Sequence, residues 1–405
     1  MKKTNKPELL APVGDFTNLN IAIKAGADAV YFGLKEFSLR ANAKNFTLKE
    51  LEKINKICSK NKIRKYLTLN SIIYSEEIPK VDKILKTISQ KKLVDAVICW
   101  DIAVIQLCKK YKIPFHISTQ ASISNYETAK FYKDLGAERI VLARELNLEQ
   151  IKEIHKKVDI ELETFIHGAM CLAVSGRCLM SHHLFGRSAN RGECVHPCRR
   201  SYIIKDTQQD KQLKIENNHI LSAKDLCTFP FINKLKSAGI TCFKIEGRNR
   251  DARYVDTVVR IYRKAIDSKN LTQEEINSSM EDLKTIYNKG FSSGFYLGSP
   301  TADDFSSTEN SDATEKKHFV GFIKNYYSKL KVVTIKLVSP VKIGDKISII
   351  GKTTGIINSK IESMEIKGRP VSEAKKSDEV GIKMPYLVRK KDEVYIILKN
   401  NKIKN

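Results

Sequence analysis

Short apolar runs alternate with amphipathic stretches along the first 250 residues of the chain. The strand-like runs are Glu8–Val13, Ala29–Gly33, Lys65–Asn70, Ala96–Trp100, Phe115–Gln120, Arg139–Ala143, Ile160–His167 and Cys242–Glu246. Between them apolar residues recur with helical spacing, as at Leu48, Leu51, Ile54 and Ile57, which is typical of helices that cover a parallel sheet. Eight such βα units predict an α/β fold, a (β/α)8 barrel of the TIM type, with an open doubly wound sheet as the alternative.

In a (β/α)8 barrel the chemistry takes place at the carboxyl ends of the strands. The polar residues at or just beyond those ends are Asn70, Asp101, Gln120, Arg144, His167, Glu246 and Arg248. Any one of them could instead cap a helix or bind a loop, so each is a candidate for the site and not yet a member of it.

Four cysteines, Cys171, Cys178, Cys194 and Cys198, fall within 28 residues directly after the seventh strand-like run, and Cys227 follows. Four thiolates suit an iron–sulfur cluster or a closed zinc site. Their long and unequal spacing matches neither paired zinc knuckles nor the compact ferredoxin run. The barrel prediction makes residues 168–240 an insertion on the catalytic face, so a metal site is expected beside the strand ends.

The last part of the chain changes period. Five strand-like runs, Val332–Val338, Lys346–Ile350, Lys360–Ile366, Glu379–Lys383 and Glu393–Leu398, predict a small all-β barrel. The phrases Val341-Lys-Ile-Gly-Asp-Lys-Ile347 and Val371-Ser-Glu-Ala to Asp378-Glu-Val-Gly-Ile382 resemble the second-domain β-barrel of translational GTPases. We therefore divide the chain into a barrel at 1–270, a helical segment and linker at 271–315, and a β-barrel domain at 316–405. A generic oligomerisation or lid module is the alternative for the last unit.

The formal net charge of +25 exceeds what solubility requires and favours a polyanionic partner such as nucleic acid. Residues 316–405 hold 21 Lys and Arg against 8 Asp and Glu, so the positive charge is densest at the C-terminal end. A genome biased toward Lys, Asn and Ile is the alternative explanation.

No apolar stretch of the sequence is long enough for a signal peptide or a membrane span. Nine cysteines, an odd number, argue for reduced thiols or metal ligands rather than a disulfide framework. We therefore expect a cytoplasmic protein without membrane contact.

The cysteine-rich segment resembles the signature of the collagenase-like U32 peptidase family. The matching motifs are Glu163-x-Phe165-x-x-Gly168-Ala-Met-Cys171, Ser175-Gly-Arg-Cys178-Leu-Met-Ser181, Gly186-Arg-Ser-Ala-Asn190-Arg-Gly-Glu-Cys194 and Pro197-Cys198-Arg199. Further matches are Leu10-Ala-Pro-Val-Gly-Asp15, Ser222-x-Lys-Asp-Leu-Cys227 and Lys244-Ile-Glu-Gly-Arg248, so the resemblance covers the whole barrel. One departure is His196, where the resemblance leads us to expect Gln in many relatives.

Within this family the chain is most similar to the prephenate-dependent tRNA hydroxylases, which form 5-hydroxyuridine at the wobble position. The resemblance implies a 4Fe-4S cluster held by Cys171, Cys178, Cys194 and either Cys227 or Cys198. It also implies prephenate, a small dicarboxylate, as co-substrate, and tRNA bound through the basic C-terminal domain. Relatives that hydroxylate a cytidine of 23S rRNA, and a collagenase-like peptidase activity, are the alternatives.

Several residues in these motifs have side chains suited to such a reaction. Arginine forks bind dicarboxylates or RNA phosphates, histidines shuttle protons, and carboxylates on buried strands require basic partners. The expected catalytic residues are Glu163, Arg177, His182, Lys244 and Glu246. The expected substrate-binding residues are Gln120, Arg144, Arg199 and Arg248.

The sequence offers little support for a protease. It contains no His-Glu-x-x-His zinc motif, and Gly290-Phe-Ser292-Ser-Gly294 matches a serine-hydrolase elbow without the apolar strand that should precede it. A Cys-His pair of Cys171 or Cys178 with His182 stays open, because such pairs form by proximity in space.

Overall fold

Eight parallel strands close into a barrel in the computed structural model, which describes residues 6–41, 43–200, 202, 204–205, 207–209, 212–213, 221–308 and 311–400. The strands are β1 (Glu8–Pro12), β2 (Ala29–Gly33), β3 (Arg64–Thr68), β4 (Ala96–Cys99), β5 (Phe115–Ile117), β6 (Arg139–Val141), β7 (Glu161–Gly168) and β11 (Cys242–Ile245). Neighbours pair in sequence order, and β11 pairs with both β1 and β7. The (β/α)8 prediction is confirmed, and closure excludes the open sheet.

Helices alternate with the strands and cover the barrel. They are α1 (Phe16–Ala25), α2 (Leu51–Lys60), α3 (Ile78–Lys91), α4 (Ile102–Lys110), α5 (Tyr126–Asp134), α6 (Leu148–Lys157), α8 (Ile232–Ser237) and α9 (Ala252–Asp267). Local sequence explains where they begin and end. In α1, Asp15 accepts a hydrogen bond from the Asn18 amide, and Gly26 ends the helix with φ 98°, so the chain turns directly into β2.

The segment between β7 and β11 carries the cysteines. It contains α7 (Met180–Phe185), the paired strands β8 (Ile204–Lys205) and β9 (Gln212–Leu213), and β10 (Asp225–Cys227). Residues 214–220 of the predicted insertion lie outside the described residues. β10 runs antiparallel to the end of β7, with Cys227 opposite His167. After the barrel come α10 (Gln273–Thr285) and β12 (Phe291–Ser292), and β12 pairs with β10.

The C-terminal module is all β. Its strands are β13 (Glu315–Tyr327), β14 (Val332–Leu337), β15 (Val341–Lys342), β16 (Lys346–Gly351), β17 (Gly355–Lys360), β18 (Met364–Ile366), β19 (Arg369–Pro370), β20 (Glu373–Ala374), β21 (Glu379–Lys383) and β22 (Glu393–Lys399). They form an antiparallel sheet with the order β17-β16-β22-β13-β14-β21-β18-β19 and the small pair β15-β20. Val320, Ile335 and Ile349 belong to the separate apolar core that these strands enclose.

Two details of this module differ from the predicted strands. Strand β13 was not predicted, because register shifts after Phe319 and Ile323 interrupt its alternation of apolar and polar residues. The predicted strand 360–366 is two strands, since β17 ends at Lys360 and β18 begins at Met364.

The module packs on the outside of the barrel against α1 and α9. The side chains of Asn20 and Lys24 donate hydrogen bonds to the backbone carbonyls of residues 352–354, and Arg253 pairs with Glu315 at 2.6 Å. Ile350 of the module joins the apolar core of the barrel. Within the described ranges no helix combines the length and apolarity that a bilayer span requires.

Candidate active site

A small cavity lies at the carboxyl ends of the barrel strands, beneath the cysteine segment. The residues that surround it include Tyr31, Arg40, Thr68, Asn70, Gln120, Arg144, Phe165, Cys171, Ser175, Lys244, Glu246 and Arg248. Its free volume is about 40 Å³, enough for a carboxylate group or a few water molecules. The strand-end residues Gln120, Arg144, Lys244, Glu246 and Arg248 are thus brought together, and Cys171 lies beside them.

Glu246 is the acidic centre of this cavity. Arg40 Nε lies 3.2 Å from its carboxylate, and the Tyr31 hydroxyl lies 3.3 Å away on the other side. Burial alone would raise the pKa of Glu246, but the charges of Arg40, Arg248 and Arg144 outweigh burial and hold that pKa at about 2. Glu246 is therefore ionised and holds the arginines in place.

Arg248 is almost completely buried at the edge of the cavity. Its terminal nitrogen donates to the hydroxyls of Ser38 at 2.6 Å and Thr68 at 2.9 Å, and these hydroxyls carry no charge. Burial lowers the pKa of Arg248 to about 10, so the guanidinium remains charged at neutral pH. Its Nε is buried without a hydrogen-bond partner.

Arg144, like Arg248, has a buried nitrogen without a hydrogen-bond partner. It donates to the carbonyl of Ala169 at 2.9 Å and stacks on the ring of Phe165, 3.8 Å from the ring centroid. Its Nε is also buried without a partner. Buried donors are almost always satisfied, so two arginine residues with an unsatisfied nitrogen beside one cavity are unusual.

Below the cavity a chain of ion pairs fills the barrel interior. Glu163, which has no exposed surface, accepts from Lys244 Nζ at 2.7 Å and from Arg139 at 3.3 Å. Burial opposes ionisation of Glu163, but Lys244 and Arg139 lower its pKa to about 2. Glu163, predicted as catalytic, does not reach the cavity, whereas Lys244 lines it. The geometry makes Glu163 a positioning residue for Lys244.

The cysteine segment is fixed to the barrel mouth through Gln120. The Gln120 side chain donates to the carbonyl of Ser175 at 3.1 Å, and Arg177 donates back to the Gln120 carbonyl at 3.2 Å. At Gly192 the segment touches the loop after β2, where a Cβ would lie 2.4 Å from the Ser38 carbonyl oxygen. The hydrogen bonds of Gln120 with Ser175 and Arg177 therefore hold the cysteine segment against the barrel.

Three thiols of this segment lie close enough to a fourth, that of Cys198, to affect its pKa. Burial raises the pKa of Cys198, and the nearby thiols of Cys171, Cys194 and Cys178 raise it further. Backbone amides donate to Cys178 Sγ and to Cys194 Sγ, each at 3.4 Å. In the described part of the chain no three Cys, His, Asp or Glu side chains meet closely enough to hold a single metal ion.

Cys227 lies elsewhere. It is buried in the apolar core, and its Sγ lies 3.8 Å from the Tyr262 hydroxyl and 3.9 Å from the Met280 sulfur. Burial raises its pKa to about 11, so it remains a thiol at neutral pH. The structure therefore groups Cys198, and not Cys227, with Cys171, Cys178 and Cys194.

The remaining predicted residues are not in the cavity. His182 and His183 are exposed on α7, and Arg199 is half-exposed beside Cys198. Asp101 caps α4 through the Ala103 amide. His167 packs among Tyr254, Tyr262 and Phe291, and burial lowers its pKa to about 3. These positions do not supply a proton shuttle inside the cavity.

Neither protease arrangement is assembled. Ser292 donates to Asp304 at 2.5 Å and has no histidine among its hydrogen-bond partners in the described residues. The described hydrogen bonds likewise join none of the cluster cysteines to His182 or His183; Cys178 and Cys194 accept from backbone amides instead. A nucleophile needs a base within hydrogen-bond reach, so the geometry does not favour peptide hydrolysis.

A closed (β/α)8 barrel with a polar cavity at its strand ends has the layout of a barrel enzyme. The model of Peptidase family U32 matches residues 14–306, and the chain belongs to this family.

Similar proteins of the family carry different functional names. A Methanocaldococcus jannaschii protein named an uncharacterized protease is 42% identical over 96% of this chain and 98% of its own length. A Porphyromonas gingivalis protein named collagenase is 40% identical over 96% of this chain and 98% of its own length. The tRNA hydroxylation protein P1 of Bacillus subtilis is 36% identical over 86% of this chain and 84% of its own length.

Proposed function

We propose that this protein is an RNA hydroxylase that forms 5-hydroxyuridine at the wobble position of tRNA, with prephenate as co-substrate and a 4Fe-4S cluster. The observation that carries the proposal is the meeting of Arg144, Arg248 and Cys171 around one cavity at the barrel mouth. Two arginine residues whose side chains suit an organic anion thus line the same cavity as a thiol of the cysteine segment, which supports the proposal.

The cavity suits the carboxylate of a dicarboxylate co-substrate. The unsatisfied Nε atoms of Arg144 and Arg248 and the ammonium of Lys244 supply positive charge, and Glu246 balances only part of it. The free volume of about 40 Å³ admits one carboxylate, and the remainder of a bound molecule would extend toward the mouth of the cavity.

The donor set fits an iron–sulfur cluster. Cys171, Cys178 and Cys194 each lie close enough to Cys198 to affect its pKa, and no three metal-ligating side chains of the described residues converge as the ligands of a single zinc ion do. A cluster of several iron atoms needs ligands that are farther apart, and amide donors to thiolate sulfur tune its potential. When bound, the cluster would supply one-electron redox chemistry. The chain itself holds the anion, excludes water and orients the base beside Cys171.

Two observations favour RNA as the second substrate. The C-terminal module carries a large excess of Lys and Arg and is attached to the barrel beside its mouth. A relative at 36% identity is named for tRNA hydroxylation. Phosphate neutralisation by such a surface provides most of the affinity of RNA-binding proteins.

Nucleoside mass spectrometry tests this function. We expect total tRNA from cells that lack the gene to lose 5-hydroxyuridine derivatives, and an intact gene copy to restore them. Ribosomal RNA from the same cells is the matched control, because loss of a hydroxycytidine there with unchanged tRNA would support the rRNA alternative. Unchanged profiles in both RNAs would refute the proposal.

A further inference from the structure

A cleft of about 1190 Å³ lies between the rim of the barrel and the C-terminal module. The barrel side is formed by residues 14–18 after β1, by Lys35 after β2 and by residues 248–252 after β11. The module side is formed mainly by residues 350–353 and 389–393. Since the barrel side follows the carboxyl ends of strands, the cleft opens on the same face as the cavity, and Arg248 lines both.

Four cations of the module side make no ion pair among the described residues, whereas Lys317 does. Lys352, Lys390 and Lys391 are exposed, and none has a carboxylate within ion-pair distance in the described ranges. The Arg389 side chain donates to the hydroxyl of Thr354 at 3.2 Å, while its backbone amide donates to Asp392 at 2.8 Å. Four positive side chains thus face the cleft from one wall.

The acidic residues of the cleft, in contrast, are already engaged by protein groups. Asp15 pairs with Lys44 at 2.9 Å, and Asp251 pairs with Lys317 at 2.9 Å. Asp392 accepts from the Thr354 hydroxyl and Glu393 from the Tyr395 hydroxyl, at 2.5 and 2.6 Å. These hydroxyl bonds leave Asp392 and Glu393 charged, but nine Lys and Arg residues line the cleft against five Asp and Glu residues, Glu50 among them, so the net charge around the cleft is positive.

The backbone of the basic wall is fixed to the barrel. Asn20 donates to the Lys352 carbonyl at 2.6 Å, and Lys24 donates to the carbonyls of Thr353 and Thr354 at 3.0 and 2.7 Å. These bonds use only carbonyl oxygens, so the Lys352 ammonium stays available for a ligand. The positive wall is therefore held at a set position relative to the barrel mouth.

We propose that this cleft, and not the outer face of the C-terminal module, binds the phosphate backbone of a single-stranded RNA loop and directs one nucleotide past Arg248 into the cavity. The inference rests on the proposed function, since it assigns the path by which RNA reaches that site. Phe16 and Tyr395 are both partly exposed in the walls, and a lysine ammonium lies over each ring, Lys53 at 4.5 Å and Lys317 at 4.8 Å.

The test compares two triple variants of the full-length protein. Lys352→Ala/Lys390→Ala/Lys391→Ala removes three charges from the cleft. Lys329→Ala/Lys375→Ala/Lys376→Ala removes three equally exposed and unpaired charges from the same module outside the cleft. Fluorescence anisotropy measures binding of a labelled tRNA anticodon stem-loop over a range of salt concentrations. Thermal unfolding checks that both variants fold as the unmodified protein does.

We expect the cleft variant to bind about 100-fold more weakly at about 0.1 M salt and to lower the slope of log K against log salt by about 2, as for three lost phosphate contacts to a single strand. The control variant should change affinity by less than about threefold. Equal losses in both variants would overturn the inference, as would an unaffected cleft variant. Competition by a mononucleotide as effective as that of the stem-loop would also overturn it, because a small-anion site would then be sufficient.

Failure of the proposed function is separable from failure of this inference. Specific loss of RNA binding in the cleft variant supports the cleft even if cells without the gene keep their hydroxylated nucleosides. Conversely, if those nucleosides disappear while the two variants bind RNA equally well, the hydroxylase function is supported and RNA binding in the cleft is refuted.

Discussion

Replacement of Glu163 by Gln perturbs the ion pairs inside the barrel while keeping the side-chain shape. The carboxylate has no exposed surface and accepts from Lys244 at 2.7 Å and Arg139 at 3.3 Å. A pKa of about 2, against an ordinary value of 4.5, corresponds to about 3 kcal/mol of stability at neutral pH. Loss of one member of a buried pair typically costs about 3–5 kcal/mol. We therefore expect Glu163→Gln to lower the free energy of unfolding by roughly 3 kcal/mol.

Urea unfolding followed by circular dichroism at pH 7 measures this loss. Glu153→Gln is the matched control, because Glu153 pairs with Lys157 at 3.0 Å on the surface and should lose less than about 1 kcal/mol. Adding Lys244→Met to Glu163→Gln should recover part of the stability, since the uncompensated ammonium is removed. A loss below about 1 kcal/mol for Glu163→Gln would refute the assignment of Glu163 as the anchor of Lys244.

Two further predictions concern the cysteines and acid stability. Cys198→Ser should lower the iron content of anaerobically purified protein while Cys227→Ser retains it, because only Cys198 lies with the other three thiols; equal iron in both variants would contradict this ligand set. The pKa of Glu246 is depressed to about 2, so its contribution to stability is complete above about pH 4.5 and is lost as the pH falls toward 2. Melting temperatures of Glu246→Gln should therefore fall less steeply in that pH window than those of the unmodified protein, and parallel curves would contradict the depressed pKa.

The eight barrel strands could be predicted because each is an apolar run that ends in small or polar residues. The strand-end rule also located Gln120, Arg144, Glu246 and Arg248, since closure of a parallel barrel brings those positions to one face whatever their separation in sequence. Lys244 lines the cavity because it lies near the carboxyl end of β11.

The residues that sequence analysis missed or misplaced depend on contacts between distant segments. Tyr31 has the pattern of an ordinary core tyrosine, yet its hydroxyl reaches Glu246 from a different strand. Cys227 belongs to the family motif, but it lies in the apolar core because β10 pairs antiparallel with β7. The spacing of apolar residues does not predict this pairing. His182 belongs to a short helix whose exposed side depends on how the cysteine segment lies on the barrel.

We propose that the cavity and the neighbouring thiols act together to hydroxylate a uridine of tRNA. The most direct measurement incubates iron-loaded protein with prephenate and tRNA from cells that lack the gene, and then weighs the wobble nucleoside by mass spectrometry. We expect the wobble uridine to gain the mass of one oxygen atom only when prephenate is present. This gain should be lost in Arg144→Met and in Cys171→Ser. Unaltered uridine with fully iron-loaded protein, or hydroxylation that persists in both variants, would contradict it.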